Sequence, residues 1–286
     1  MKNLKGDIKL EKMTPEEFKA NCLDILEELT KFLEKHNLRY FLDFGTLIGC
    51  IRHKGFIPWD DDIDIAMPRE DYEKLFELLK KKDYKLTENY VLGCPRNQYT
   101  AYKTIFGIFD LRTITDSITR KSKYRYPVWI DIFAFDRVPD DKETIRKYFK
   151  LSRHTDSWSR SFITKEHPTH HVLKTITGFF VRPFSKTWMN YVEKKLIKLT
   201  AENPNGKYFC FYDGMDYIPK GKDYADIVYD ESIFNDYVMK PFEGKKFRVP
   251  KDYDRRLTDC YGDYMKLPPK SKQIPHFVSA YRIKQK

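Results

Sequence analysis

The sequence predicts an α+β fold, a mixed β-sheet core flanked by helices, and three stretches carry that expectation. A capped amphipathic pattern runs from Thr14 to Asn37. A period-two pattern at 62–67 puts two aspartates on one face, and the stretch VWIDIFAFD at 128–136 carries Asp131 inside an apolar run. The first reads as a helix and the other two as strands.

Taken in order, Thr14 occupies an N-cap position, Pro15 the first helical position, and Glu17 closes a capping box. Phe18, Cys22, Ile25, Leu29, Phe32 and Leu33 then recur at helical spacing, and the helix ends near Asn37. LRYFLD, residues 38–43, is short and aromatic-rich and predicts a strand. Gly45 then allows a tight turn into a short helix, TLIGCIRH. After the loop KGFIPW, Asp62, Ile63, Asp64, Ile65, Ala66 and Met67 alternate, so both carboxylates share a face opposite Ile63, Ile65 and Met67. A helix is predicted from Pro68 to about Lys82, strands around 84–88, 99–106 and 109–115, and another strand at 128–136. From Arg137 to Thr200 the pattern is helical, and 201–286 mixes short strands with proline-rich turns such as KLPPKSKQIP.

With 41% hydrophobic and 16% aromatic residues, a chain of 286 can build a substantial core, which excludes disorder as the default. The formal charge of +11 points to an anionic partner: nucleic acid, a phosphorylated small molecule or a membrane surface. That charge is regional, since 137–200 holds 14 Lys or Arg against six Asp or Glu. Five cysteines, odd in number and without a C-x-x-C pair, argue against a disulfide framework or zinc knuckle and read as reduced, buried thiols. MKNLKGDIKL has no apolar stretch of signal-peptide length, no run approaches a spanning helix, and N-x-S/T is absent, so a cytoplasmic location is expected.

The segment FIPWDDDIDIAM concentrates Asp60, Asp61, Asp62 and Asp64 in an otherwise basic chain. A solvated loop or a set of caps would be the plain explanation. However, Asp62 and Asp64 fall on one face of a strand, ~7 Å apart at their Cα atoms, and like charges so placed repel unless a cation lies between them. Hard oxygen ligands with room for water and phosphate suit Mg²⁺ or Mn²⁺ and point to metal-assisted phosphoryl chemistry. Such a site wants a third carboxylate on a neighbouring strand, and Asp131 is the candidate, set against a core hydrogen-bonding role. Gly45 and Thr46 offer N–H groups and a hydroxyl to a phosphate. Arg52, His53 and Lys54 would balance its charge or form a solvated loop.

The stretch FLDFGTLIGCIRHKGFIPWDDDIDIAMPREDY at 41–72 resembles the signature of the LicD family of phosphocholine transferases, which includes fukutin-related proteins. WIDIFAFDRVPDD at 129–141 and YGDYMKLPP at 261–269, preceded by FEGKKFRVPKDYDRRL, match further; 150–205 matches little. The resemblance implies a nucleotidyltransferase-like core, a CDP-activated donor and Mg²⁺ or Mn²⁺. Asp62, Asp64 and Asp131 would be the metal-binding and catalytic residues. Gly45, Thr46, Arg52 and Lys54 would hold donor phosphates, with Asp60, Trp59 and His53 in support and Asp61 structural. Phe44, where small residues are common, and Cys50, in place of alanine, depart from the pattern. The absence of a cysteine-based zinc insertion favours the bacterial-type branch.

The expected organisation is a catalytic core at 1–136 and a basic helical region with a C-terminal segment at 137–286, completing the acceptor side within one compact unit. The expected reaction moves phosphocholine from CDP-choline to a hydroxyl of a cell-surface glycan, lipopolysaccharide or teichoic acid precursor, releasing CMP. Glycerol phosphate or ribitol phosphate transfer is the alternative, and nucleic-acid binding the remote one. A choline headgroup calls for aromatic faces, with Trp59 as one candidate against a core or loop anchor. The acceptor is expected on a lipid carrier, which would bring the protein to the inner face of the cytoplasmic membrane. Val172, Phe179, Phe180, Phe184 and Trp188, interleaved with Lys174, Arg182 and Lys186, suit either that interface or the core. HPTHH at 167–171 reads as an exposed loop.

Overall fold

The computed structural model describes residues 9–97, 99, 105–117, 126–147, 149–150, 171–206, 208–211, 228–273 and 277–284, without the side chains of 117, 171–186, 208–211 and 277–278. The expected α+β architecture is present. Strand β1 (Lys9–Lys12) leads into α1 (Pro15–Lys35), whose capping box forms as expected, with Thr14 and Glu17 exchanging backbone-to-side-chain hydrogen bonds. Cys22, Ile25, Leu26, Leu29 and Leu33 bury one stripe of the helix completely, and Asn37 leaves it at φ 52°.

The principal sheet runs β2 (Phe41–Leu42), β3 (Asp64–Pro68), β7 (Val128–Val138), β5 (Phe106–Asp110) and β4 (Tyr90–Gly93). Strands β8 (Tyr208–Phe211) and β9 (Tyr229–Asp230) extend it from the far half of β7. Among the described strands only β3 and β7 pair in parallel. That pair sits at the centre because Ile63, Ile65 and Met67 are fully buried against the α1 side. On the other face, Ala66 packs with Phe41, Phe44, Phe135, Ile233 and Phe234. Helix α2 (Phe44–Ile48) continues into a π-helical turn, Gly49–His53, and α3 (Arg69–Lys80) follows β3 directly.

Beyond β6 (Thr113–Ser117) and β7, a helix α4 at 142–147 precedes the long α5 (His171–Glu202). Met189, Val192 and Leu196 of α5 are buried, the latter two against Ile105, Val138, Ile145 and Phe149. Within the described half of the helix this stripe is therefore core, while Trp188 and Tyr191 lie outside. The remainder of the basic stripe and the histidine-rich segment fall outside the described side chains. The hairpin β10 (Tyr237–Phe242) and β11 (Lys245–Pro250), helix α6 (Tyr253–Tyr261) and strand β12 (Phe277–Lys284) complete the chain, with β12 lying between β1 and β6. Among the described residues no helix is long and apolar enough to cross a membrane.

Several predicted boundaries move. The strand expected at 38–43 is reduced to two residues. No strand forms at 84–88, because Asp83 and Tyr84 adopt φ 52° and 63° and turn the chain; Lys85 makes only a single bridge to Val91. The strand expected at 99–106 lies for the most part outside the described residues, β5 taking up only its last residue, and the strand expected at 109–115 is divided by a turn at Leu111 and Arg112 that separates β5 from β6.

Candidate active site

The turn before α2 does not use Gly45 as expected. Phe44 takes the left-handed conformation, φ 50°, although a bulky residue rarely does so, and its ring is held against Phe133 at 4.8 Å. Gly45 is needed for close approach instead. A Cβ there would lie 2.6 Å from Asp60 Oδ2, so the Asp60 carboxylate rests on the glycine backbone. Asp60 lies ahead of β3, outside the strand that carries Asp64. Thr46 is buried, and its hydroxyl accepts from the Asp64 N–H at 2.8 Å, tying the start of α2 to the start of β3.

Asp64 and Asp131 are direct Cα partners across the parallel pair β3 and β7. The ladder continues one step further, with Asp131 N–H donating to Ile63 O at 2.9 Å. Residues in register on adjacent strands share a face, so these two carboxylates stand side by side, both partly open to solvent. On the other side of Asp131 its partner is Gly107, which adds no side chain to that face. Trp129, two residues earlier and therefore on the same face, donates its indole N–H to Asp131 Oδ1 at 2.9 Å. This indole was not anticipated, although its i, i+2 spacing from the aspartate was the available signal.

Asp62 lies two residues before the strand proper. Its charge, with that of Asp61, reaches Cys22 on α1, whose thiol is pushed well above its ordinary value by burial first and by these aspartates second. Among the described residues no three carboxylate, imidazole or thiol groups stand close enough to enclose a metal ion as placed. What the fold brings together is the Asp64 and Asp131 pair. Two adjacent hard-oxygen donors, with substrate phosphates supplying further ligands, fit Mg²⁺ or Mn²⁺ better than an all-protein cage would.

The basic trio is held elsewhere. Arg52 donates to the carbonyls of Tyr264 and Lys266, and its Nε approaches His53 Nδ1 at 3.4 Å. Burial, and then Arg52, hold His53 below its ordinary value of 6.5, which keeps the ring neutral at pH 7. Lys54 Nζ folds back onto Ile51 O at 2.9 Å. Trp59 meets His53 edge-on at 6.4 Å and packs against the main core, as an anchor would. The contacts of Arg52 and Lys54 thus run to the C-terminal segment and the π-turn rather than to the acidic strand.

Two further contacts join the matched motifs. Asp43, at the N-cap of α2, makes no cap hydrogen bond; its carboxylate pairs with Arg256 of α6 at 2.9 Å, both side chains 1% exposed. Burial depresses the Arg256 guanidinium, but Asp43 outweighs it and holds the group well above its ordinary value. Glu243, at the β10–β11 turn, accepts from Phe56 N–H at 2.9 Å while its own N–H donates to Lys54 O. A Cβ on Gly55 would run into the Glu243 carboxylate, so glycine there leaves room for this contact.

A family profile described as "LicD/FKTN/FKRP, nucleotidyltransferase domain" matches residues 37–172, which contain both Asp64 and Asp131. The chain is 35% identical over 276 residues to the Lipopolysaccharide cholinephosphotransferase LicD of Haemophilus influenzae, covering 94% of this chain and 98% of that one. It is 41% identical over 54 residues to the human Ribitol 5-phosphate transferase FKRP, 18% of this chain and 11% of that one. An uncharacterised Rickettsia prowazekii protein is 29% identical over 116 residues, 41% of this chain and 39% of its own.

Proposed function

The chain belongs to the LicD family, and from that premise we propose that this phosphotransferase moves phosphocholine from CDP-choline to a hydroxyl of a cell-surface glycan of the lipopolysaccharide kind, releasing CMP. The observation carrying the proposal is the juxtaposition of Asp64 and Asp131 across β3 and β7, inside the matched region. The name of the Haemophilus relative, matched over nearly its full length, supports choline phosphate over other groups.

In this reading the acceptor oxygen forms a bond to the choline-bearing phosphorus while the bond to the CMP oxygen breaks in line. The hydroxyl proton passes to a carboxylate at Asp131, whose rotamer the Trp129 indole fixes. A divalent ion, Mg²⁺ or Mn²⁺, held by Asp64 and Asp131 with Asp62 nearby, would stabilise charge on the phosphates and the departing CMP. Thr46, tied to Asp64, and the Gly45 backbone border the donor phosphates, and Asp60 limits how far they can approach. Arg52 and Lys54 act on donor charge at longer range, their own contacts running to the C-terminal segment and the π-turn.

The test is CMP release from a panel of CDP-linked donors with Mg²⁺ or Mn²⁺, with the product glycan read by mass spectrometry. CDP-choline should be preferred, and Asp64→Asn and Asp131→Asn should each lower kcat at least 100-fold while the fold is kept. Equal turnover of CDP-ribitol or CDP-glycerol would remove the choline assignment, and undiminished turnover in both variants would remove the site.

A further inference from the structure

Met265 and Leu267 are the two most exposed large apolar side chains among the described residues, at 55% and 54%. They stand on a segment whose backbone is firmly bonded. Lys266 N–H donates to Asp263 O, Lys272 N–H to Pro269 O and Gln273 N–H to Lys270 O, while the Gln273 side-chain amide donates to Pro268 O at 2.9 Å. From the protein side Arg52 grips the carbonyls of Tyr264 and Lys266. Two prolines, Pro268 and Pro269, restrict the chain further. The apolar exposure is therefore not a by-product of a loose chain: the fold holds these side chains out in water.

Charge on the same segment has one sign. Lys266, Lys270 and Lys272 are exposed, and between Tyr264 and Gln273 there is no acidic residue. The adjoining acids are Asp263, immediately before the segment, and Asp254, which accepts the Tyr264 hydroxyl at 2.6 Å. A surface offering both anionic groups and an apolar layer just beneath them matches this pattern. Nucleic acid would satisfy the lysines but leave the aliphatic pair in water.

We propose that residues 264–272 dock on an anionic membrane surface, Met265 and Leu267 entering the acyl boundary while the lysines meet the headgroups. Arg52 ties this segment to the π-helical turn that ends in His53, whose ring meets Trp59 edge-on. Delivery of a lipid-borne acceptor rests on the transferase reading; the docking itself does not.

The experiment is sedimentation of the full chain with vesicles of phosphatidylglycerol and phosphatidylcholine, with phosphatidylcholine alone and a 20-nucleotide RNA as comparison probes. Binding to the anionic vesicles, weakened by salt, is expected, with little binding to the other two. Met265→Ser with Leu267→Ser should weaken it at least ten-fold. Lys270→Glu with Lys272→Glu should weaken it by about five-fold per lysine or more. Both double variants should keep the thermal stability and the CMP release measured in free solution. No binding to anionic vesicles, equal binding to RNA, or a vesicle affinity that ignores the Met265 and Leu267 substitutions would each overturn the proposal. If the unsubstituted chain releases CMP from no donor, the transferase reading falls and the vesicle result stands by itself.

Discussion

A hydrogen bond from Trp129 helps to orient Asp131, and the Trp129 ring lies 6.0 Å from that of Phe109 and stacks on it at 26°. Trp129→Phe keeps the apolar ring and removes the donor. We expect kcat to fall about ten-fold with an unchanged KM for the donor, because positioning is lost while binding is kept; steady-state kinetics at saturating metal reads the split. Arg256 allows a sharper stability test. Arg256→Met leaves Asp43 charged and buried, which should cost about 3–5 kcal/mol in urea unfolding, and adding Asp43→Asn should restore most of it. Asp64 and Asp131 were legible in the sequence because a carboxylate that interrupts an apolar alternation declares its face. Arg256 was not, because its partner lies 213 residues away and nothing local marks an arginine destined for burial. Phe44 escaped for the opposite reason: a glycine stood next to it, and sterics favoured the glycine for the turn.

Helix α5 is fastened to the rest of the molecule by ions as well as by its apolar stripe. Arg96 sits between Glu73 of α3 and Glu193 of α5, at 2.5 Å and 2.7 Å, all three largely shielded. Burial raises the Glu73 carboxyl, but hydrogen bonding and attraction from Arg96 more than reverse it, so its value lies below the ordinary 4.5. A depressed carboxylate adds stability that is complete above 4.5 and is lost as the pH falls through the lowered folded value. Thermal melting should therefore decline on acidification below 4.5, and Glu73→Gln should flatten that part of the curve while lowering stability at pH 7. At this scale α1 was fully readable, since its caps and its stripe are local. Of Asp83, Tyr84, Leu111 and Arg112, which turn the backbone around the strands expected between 84 and 115, only Asp83 carries a turn signature, so the strand boundaries there were displaced.

Across the whole molecule, the second half of the chain repeatedly closes on the first. Strand β8 continues from β7, the β10–β11 turn meets Lys54 and Phe56, α6 buries Arg256 beside α2, and β12 lies between β1 and β6. We propose that the catalytic core at 1–136 and the portion at 137–286 fold as one cooperative unit. Calorimetry should show a single unfolding transition, and a 1–136 fragment should lack native hydrogen-exchange protection in β3 and β7. The family motifs were separately visible along the chain, yet sequence alone could not show that FEG and HKG belong to one contact. That contact ties two distant positions into a joint choice. A gene shuffled between relatives that joins a side chain at 55 to Glu243 would have to move that carboxylate off the Phe56 N–H.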